Sequence, residues 1–316
     1  MKRWLLDISL AALFVWSVSV LASVTVKPVI RAVIAPETTA AKVEAAQRQI
    51  GVLRSDAVEY MSMSDYLTGV LLCEIPADFH HEAKCAQAIV ARTYALRTAM
   101  NGKKHGQNII CARPECCQGF IPKEEYLQKW GANHAVIAAQ EAVTATKGLV
   151  LLYEKELIDA TYFSCSGGTT EDAQAVWGAD VPYLQSVESP GEEAEEEYLQ
   201  TLRFTPEEFC ERLGLKLTGR PADWLGEVVR SEGGGVSTIR IYDTQFSGTQ
   251  MRKLLELPST WFYISSTADS ILVTTRGFGH RVGMSQYGAD AMACAGSSYE
   301  EIVKHYYTGV ELAVYE

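Results

Sequence analysis

The hydrophobic pattern begins with a long uncharged run close to the N-terminus. Residues 8–26 carry no charged side chain, and Lys2 and Arg3 precede them. A run of this length is about sufficient to cross a bilayer, and basic residues ahead of it favour a cytoplasmic N-terminus. We therefore predict a membrane anchor at residues 1–28, with the rest of the chain outside the cytoplasm. A cleaved signal peptide, with small residues at Ala22 and Ser23, and a buried core helix are the alternatives.

Residues 29–58 are rich in alanine and poor in large apolar side chains, so we interpret them as a spacer. Beyond the spacer, helical periodicity predicts helices over residues 61–73, 82–100, 123–146, 205–213, 246–257, 284–295 and 299–307. Extended patterns predict one β-hairpin at 149–153 and 157–163, a second at 227–230 and 236–242, and strands at 262–265 and 271–275. Interleaved helices and hairpins indicate an α+β fold for an ectodomain over residues 59–316.

The composition changes this picture at two points. A hydrophobic fraction of 47% supports a sizeable core, and the formal net charge is −11. Binding a polyanion requires clustered Lys and Arg, so we expect no nucleic-acid partner. The most acidic segment, residues 191–197, is interpreted as a solvated surface loop rather than a site.

Two segments are candidates for chemistry. Glu74 is expected at the end of the first helix, where Leu72, Ile75 and Pro76 would desolvate its carboxyl group and raise its pKa. A carboxylic acid that keeps its proton near neutral pH can donate it to a leaving oxygen. Glycines surround His280 over residues 277–289, which predicts a tight loop that opens a helix beside a cleft. A solvated Glu74 without function and a histidine that is only hydrogen-bonded are the alternatives.

A third candidate is a cluster of metal-binding residue types. His105, Cys111, Cys116 and Cys117 place four N or S ligands within thirteen residues, a set that suits tetrahedral zinc. A site closed by four protein ligands would be structural, so no cofactor is expected for catalysis itself. A disulfide from Cys111 to Cys116 or Cys117, and free thiols, are the alternatives. Four further cysteines lie in helical, largely apolar runs and are predicted to be buried free thiols: Cys73, Cys85, Cys210 and Cys294.

Several motifs, taken in order, carry a resemblance to a known family. They are Glu74-Ile75-Pro76, Ala91-Arg92-Thr93-Tyr94, Ser166-Gly167-Gly168, Trp177-Gly178, Pro182-Tyr183-Leu184, Gly279-His280 through Gln286, and His305-Tyr306-Tyr307-Thr308-Gly309. Over roughly residues 55–315 the chain resembles the stage II sporulation protein D family, whose members are lytic transglycosylases of endospore-forming bacteria. The resemblance implies a glycan-binding groove and cleavage of the bond between N-acetylmuramic acid and N-acetylglucosamine without water, leaving a 1,6-anhydro sugar.

In that family one glutamate acts as both acid and base, and Glu74 matches its position. The resemblance implies that a further set of residues lines the sugar groove: Ser166, Gly167, Gly168, His280, Ser285, Gln286 and Tyr287. Arg92 is expected to pair with a carboxylate, in the protein or on an acidic sugar substituent. Some family members hold zinc at the cysteine cluster, with His in place of Cys116. This chain departs from the family at Arg281, where Gly is usual and bulk would enter the groove, and at Cys165, where a small hydroxyl residue is usual.

The resemblance also implies a cellular setting. Family members are single-pass membrane proteins that act between the mother-cell and forespore membranes during engulfment. Their partners are denuded glycan strands, a cell-wall amidase and a membrane protein of the same machinery. Three other functions stay open: a non-catalytic amidase enhancer, a zinc-dependent cell-wall amidase, and a two-carboxylate hydrolase that uses Asp65, Asp78 or Glu82 beside Glu74.

Overall fold

A computed structural model of the chain describes residues 49–315. The predicted membrane anchor and residues 29–48 of the predicted spacer lie outside the described residues. The spacer prediction is wrong for residues 49–58, because they form paired strands of the folded domain. Across residues 49–315, no helix combines the length and the apolar character that a bilayer span requires. Helices and small sheets alternate along the described chain, which confirms the predicted α+β class.

The first part of the fold packs two helices against a small sheet. Strands β1 (Gln49–Arg54) and β2 (Ala57–Ser62) form an antiparallel hairpin, and β3 (Ile109–Cys111) pairs parallel with β1. Ser62 begins helix α1 (Met63–Glu74), because its side chain accepts a hydrogen bond from the Asp65 amide. Helix α2 (His81–Asn101) follows and ends at Gly102 in a left-handed conformation.

The next helical region differs from its prediction. The pattern over residues 123–146 predicts one helix, but the structure has α3 (Lys123–Trp130) and α4 (Asn133–Ala145). Gly131 separates them with φ of +65°, a left-handed conformation that ends α3. Hydrophobic periodicity continues across this break because both helices pack against α1.

Short strands surround the centre of the chain. Strands β4 (Leu149–Tyr153) and β5 (Glu156–Leu157) form the predicted hairpin, and β6 (Tyr162–Phe163) leaves it to join a different sheet. Helix α5 (Ala173–Trp177) is capped by Asp172 and ends at Gly178. The sequence patterns did not predict α5, since it is only five residues long.

Residues 199–276 build two three-stranded sheets around their own core. Strand β7 (Leu199–Phe204) and helix α6 (Pro206–Leu213) precede a short 3₁₀ turn at Pro221–Trp224. Strands β8 (Leu225–Arg230), β9 (Val236–Ile241) and β10 (Thr244–Ser247) then form one sheet in the order β10-β9-β8. Helix α7 (Gly248–Leu255) leads to β11 (Trp261–Ser266) and β12 (Ile271–Arg276), which pair as β11-β12-β7.

The end of the chain returns to the first half of the fold. Strand β13 (Met284–Ser285) pairs parallel with β6, and helix α8 (Gln286–Cys294) starts directly after it. Helix α9 (Tyr299–Tyr306) has a complete capping box from Ser298 and Glu301. Strand β14 (Glu311–Val314) pairs with β4. Helix α2 lies at the centre, because it contacts α1 and α4 on one side and α8 and α9 on the other.

The cysteine predictions are partly confirmed. Cys85 and Cys210 are buried free thiols, as expected. The prediction is wrong for Cys73 and Cys294, which are exposed near the ends of α1 and α8. Their helices are apolar on average, but these two side chains fall on the outward face.

Candidate active site

Glu74 is the last residue of α1 and is partly buried. The backbone N–H of Gly119 donates to its Oε1 at 2.5 Å. Burial raises the pKa of Glu74, while hydrogen bonds from the Gly119 backbone and the Tyr162 side chain act in the opposite direction. The direction of the shift is the one expected for a group that keeps a proton near neutral pH.

A chain of hydrogen bonds leads from the core to Tyr162, whose side chain affects the pKa of Glu74. The Tyr66 hydroxyl donates to Gln118 Oε1 at 2.9 Å, and Gln118 Nε2 donates to the Tyr162 hydroxyl at 3.0 Å. Because the Tyr162 oxygen already accepts, its proton is free to point at Glu74. Burial raises the pKa of Tyr162 well above its ordinary value, so the phenol stays protonated. Sequence reasoning missed Tyr162, since nothing local marks it.

His280 lies beside the backbone of the same strand, β6. Its ring centroid lies 5.6 Å from that of Phe163 and 5.5 Å from that of Trp177, whose side chain is exposed. Burial and the nearby Arg252 charge lower the pKa of His280 to about 4, while a hydrogen bond with the Tyr162 backbone acts against this. His280 is therefore neutral at pH 7, and its ring lies between the side chain of Phe163 and the exposed ring of Trp177.

Two predicted groove residues are turned inward instead. Ser166 and Ser285 are fully buried, and their hydroxyls donate to Glu192 at 2.7 and 2.5 Å. The amides of Ser166 and Gly167 also donate to Glu192, at 2.8 and 2.9 Å. These side chains have an internal role in place of the predicted contact with sugar, because the buried carboxylate requires their protons.

The expectation of a solvated acidic loop is therefore wrong at Glu192. Glu192 is fully buried, and the Ser189 hydroxyl and the Cys165 thiol complete its set of donors, at 2.8 and 3.2 Å. Burial and the charge of Glu192 raise the pKa of Cys165, so the thiol keeps the proton that it donates. A cysteine can therefore stand where a hydroxyl residue is usual.

The other predicted groove residues differ in exposure. Gly168 is half-buried, and its amide donates to the Ser166 hydroxyl at 2.9 Å. Gln286 is buried against Gln87, with 3.5 Å between the two amide groups. Tyr287 is half-buried, and its ring meets the edge of Phe79 at a centroid distance of 5.2 Å. Gly168, His280 and Tyr287 thus remain partly open to a ligand.

Arg92 does not have the predicted partner. Its guanidinium is buried and donates to the backbone carbonyls of Thr146 and Leu149 at 2.7 and 2.9 Å. Carbonyls at a helix C-terminus lack intrahelical partners, so Arg92 satisfies them and ties the end of α4 to α2. Burial lowers the pKa of Arg92 to about 10, which leaves it charged at pH 7.

Arg281 is not on the groove surface as its bulk suggested. It is fully buried with φ of +66°, and it donates to carbonyl oxygens of Ser166, Thr169 and Gly233 at 2.6–2.7 Å. Its Nη1 lies 3.1 Å from Oε1 of Glu171, which is also buried. Burial lowers the pKa of Arg281 to about 10, against the opposing effect of the Glu171 charge.

The fold brings the four candidate metal ligands together. One ligand atom each from His105, Cys111, Cys116 and Cys117 lies within 4.8 Å of all the others. His105 Nε2 is 3.4 Å from Cys116 Sγ, and both adjacent cysteines reach the cluster because their amides turn back to the Arg113 carbonyl. All eight cysteines are free, and one imidazole with three thiols is a donor set that fits zinc.

Sequence similarity to known proteins indicates the family of this chain. A family model described as SpoIID, Stage II sporulation protein, matches residues 53–153. Stage II sporulation protein D of Bacillus subtilis (strain 168) is 37% identical over 264 residues, covering 82% of this chain and 76% of the relative. The protein of the same name from Bacillus amyloliquefaciens is 37% identical over 262 residues, covering 81% of this chain and 76% of its own length.

A more distant relative is the Amidase enhancer of Bacillus subtilis (strain 168). It is 29% identical over 307 residues, which cover 79% of this chain and 40% of the relative. The two sporulation proteins align over most of both sequences at a higher identity. On these similarities, the chain belongs to the stage II sporulation protein D family.

Proposed function

We propose that this chain is a lytic transglycosylase that cuts the glycan strands of the cell wall with Glu74 as its acid and base. The observation that carries the proposal is the environment of Glu74. Its carboxyl group is partly buried, its pKa is raised, and the Gly119 amide donates to it. This environment suits a group that must first give up a proton and then take one back.

The proposed reaction has two steps. The protonated carboxyl of Glu74 donates its proton to the oxygen of the glycosidic bond, and the C1–O bond breaks. The resulting carboxylate accepts the proton of the C6 hydroxyl on the N-acetylmuramic acid whose C1–O bond has broken. The oxygen of that hydroxyl then bonds to C1. The products are a new 4-hydroxyl end and a 1,6-anhydro end, and Glu74 has recovered its proton without water.

A single carboxylate is sufficient for this chemistry, whereas hydrolases commonly use two. The nearby acidic residues are occupied elsewhere or exposed. Asp65 accepts from Ser62 and Lys123, and Glu82 accepts from the Tyr299 amide at 2.7 Å. Asp78 is exposed. These contacts favour the transglycosylase over a two-carboxylate hydrolase.

We infer that the glycan strand runs along the line from Glu74 past Tyr162 and His280 to Trp177. Sugar rings present apolar faces that pack on aromatic side chains, and Trp177 is 45% exposed beside His280. Gly168 and Tyr287 are the remaining half-buried candidates for contact. The proposed groove thus keeps His280, Gly168 and Tyr287 from the sequence prediction and adds Trp177.

Zinc, if bound, would be held by His105, Cys111, Cys116 and Cys117, and it would supply a structural crosslink. Four protein ligands leave no open position, which a zinc-dependent amidase would need for water. Cys117 is two residues before Gly119, whose amide contacts Glu74. The site would therefore order the segment that presents this amide.

The wider biological role is part of the same proposal. Residues 1–28 would anchor the protein, residues 29–48 would act as the spacer, and the ectodomain would begin with β1, whose Ile50 and Val52 are buried in the core, in the space between mother cell and forespore. Denuded glycan strands would be the substrate, with a cell-wall amidase and a membrane protein as partners in engulfment. The relative named Amidase enhancer supports a cell-wall setting and also motivates the non-catalytic alternative.

The test is the Glu74→Gln variant of the full chain, purified in detergent and incubated with denuded glycan strands. Mass spectrometry should find 1,6-anhydro ends with the native chain and a loss of about 10²–10⁴-fold in the variant. Glu141→Gln, an exposed glutamate on α4, is the matched control and should cut normally. Normal cutting by Glu74→Gln would refute the role of Glu74, and reducing ends would indicate a hydrolase.

A further inference from the structure

A small cleft opens beside the end of α1 that carries Glu74. Its volume is ≈ 240 Å³, counting the space open to solvent at its mouth. The last residues of α1 and the turn after it form one wall, from Leu71 to Ala77, and α3 and α4 contribute the other. Apart from one lysine and one tyrosine, every side chain that lines the cleft is apolar. The lysine is therefore the feature that decides what the cleft can bind.

This lysine is Lys84 of α2, and its charge is not neutralised by the chain. Lys84 is only 9% exposed, and every salt bridge within residues 49–315 involves another cation. Its Nζ still contacts solvent, because the unbonded side-chain N and O atoms that are sealed from solvent in this part of the chain are Gln87 Nε2 and Glu171 Oε2. Lys84 thus presents an accessible positive charge in an apolar cleft.

The charges around the cleft select an anion. Ala135, in the first turn of α4, lines the cleft, and the N-cap of this helix is Ala132, which offers no capping side chain. The positive end of α4 therefore adds to the charge of Lys84. The C-terminal end of α1 acts in the opposite direction, but its partial charge is only about half an elementary charge. None of the lining residues is acidic, so the net charge of the site is positive.

The lining side chains limit which anion fits. Tyr126 is half-buried, and its hydroxyl can donate a second hydrogen bond beside those from Lys84. One ammonium and one hydroxyl match the two oxygens of a carboxylate. The rest of the lining is apolar, so a small apolar group should accompany the carboxylate. Among the lining side chains only Tyr126 can accept a hydrogen bond, which disfavours a ligand with its own N–H, since that donor would lose its partner on binding.

We propose that this cleft binds the lactyl group of an N-acetylmuramic acid from which the stem peptide has been removed. The lactyl group carries a carboxylate and a methyl on one carbon, and an ether oxygen joins it to the sugar. The carboxylate accepts from Lys84 and Tyr126, and the methyl packs on the apolar walls. A stem peptide converts the carboxylate to an uncharged amide, so the cleft selects denuded strands. The inference rests on the proposed function for its substrate class, but it assigns a contact separate from the acid.

The experiment uses the ¹⁵N-labelled full chain in detergent micelles, carrying Glu74→Gln so that binding is measured apart from cutting. N-acetylmuramic acid should shift the amide resonances of Ala135 and Ala139, which line the cleft, in a saturable way. N-acetylglucosamine lacks the lactyl group, and the methyl amide of N-acetylmuramic acid lacks its charge, so neither should shift them. N-acetyl-D-alanine, which represents a peptide end, should bind about tenfold more weakly. Equal binding of any of these three compounds, or no binding of N-acetylmuramic acid, would overturn the inference.

Variants test the role of the ammonium. Lys84→Met retains the apolar stem and should abolish the shifts without lowering the melting temperature, because it removes an unpaired charge from an apolar site. Lys147→Met, at an exposed lysine after α4, should keep them. Tyr126→Phe removes the second donor alone and should weaken binding about three- to tenfold, which keeps the test decisive if Lys84→Met does not fold. Native affinity in a folded Lys84→Met chain, or in Tyr126→Phe, would contradict the assigned contacts.

Kinetics separate this inference from the proposed function. In the otherwise native chain, Lys84→Met should raise KM for denuded strands about tenfold, with the loss confined to KM. Denuded strands whose muramic carboxyl groups have been converted to methyl amides should show the same raised KM with the native chain, and Lys84→Met should raise it no further. Unchanged KM overturns the lactyl site while the activity of Glu74 stands. Saturable shifts in a native chain that produces no anhydro ends would support the lactyl site and refute the transglycosylase.

Discussion

Glu192 and Glu74 are both removed from solvent, but they differ in how many hydrogen bonds their carboxyl groups accept. Glu192 accepts hydrogen bonds on both oxygens from the loop at 165–167, from Ser189 and from Ser285, so both oxygens are satisfied inside the protein. Glu74 has the Gly119 amide and the Tyr162 hydroxyl, and burial is the larger effect on its pKa. The first glutamate therefore holds the backbone of the site, and the second is available for proton transfer.

The Tyr162 hydroxyl should control the pH dependence of Glu74. The acid must be protonated, so activity falls as pH rises through its raised pKa, above the ordinary value of 4.5. Tyr162→Phe removes a hydrogen bond that lowers this pKa. The descending limb of the pH profile of kcat/KM should therefore move to higher pH. Tyr60→Phe, at an exposed tyrosine of β2, should leave the limb in place; a shift to lower pH in Tyr162→Phe contradicts the assignment.

The candidate site is built at the end of a helix and in the loop that crosses beside it. Glu74 lies at the C-terminus of α1, where Ile75 turns to an extended conformation before Pro76. The segment from β3 to Gly119 crosses beside it, so the cysteine cluster lies a few residues before the amide that contacts the acid. A loop segment thus supplies the amide that donates a hydrogen bond to Glu74.

Removing a bound metal should destabilise this segment rather than block chemistry directly. Adding a chelator to the zinc-loaded chain should lower its melting temperature, and returning zinc should restore it, because binding energy contributes to folding. Glycan cutting measured well below the lowered melting temperature should continue. Cys111→Ser should show the lower melting temperature already, with no further change on chelation. Immediate loss of cutting in a chain that remains folded would instead support a catalytic metal.

Three buried clusters make up the described part of the molecule. Helix α2 contributes to two of them, through Ala88 and Ala91 on one side and Ile89 and Val90 on the other. The third cluster belongs to residues 204–273. A buried ion pair between Glu171 and Arg281 connects this third part to the loops of the proposed groove.

Breaking that pair should be costly to the whole molecule. Arg281→Met leaves Glu171 buried without its counter-ion, so the free energy of unfolding should fall by about 3–5 kcal/mol in urea denaturation. Adding Glu171→Gln should recover part of the loss, since the uncompensated charge is then gone. Arg240→Met breaks an exposed pair with Glu227 at 3.8 Å and should cost about 1 kcal/mol or less. Equal losses for Arg281→Met and Arg240→Met would contradict this role.

Local patterns determined much of this protein in advance. The end of α2 at Gly102 and the start of α9 after Ser298 follow from glycine and capping chemistry, which acts within a few residues. Glu74 at the end of α1 and the ligand cluster from His105 to Cys117 are also local in sequence, and the structure places them as expected. The break at Gly131 is the exception, since one glycine overrode a continuous apolar pattern.

Only the tertiary structure decided which charged and polar groups are buried. Glu192 in an acidic run and Arg281 in a glycine-rich loop look solvated, because their partners lie up to about a hundred residues away. Tyr162 becomes part of the acid's environment only when β6 is placed beside Gln118 and Glu74. Local propensity depends on neighbours in the chain, whereas the cost of burying a charge depends on donors that folding brings from elsewhere.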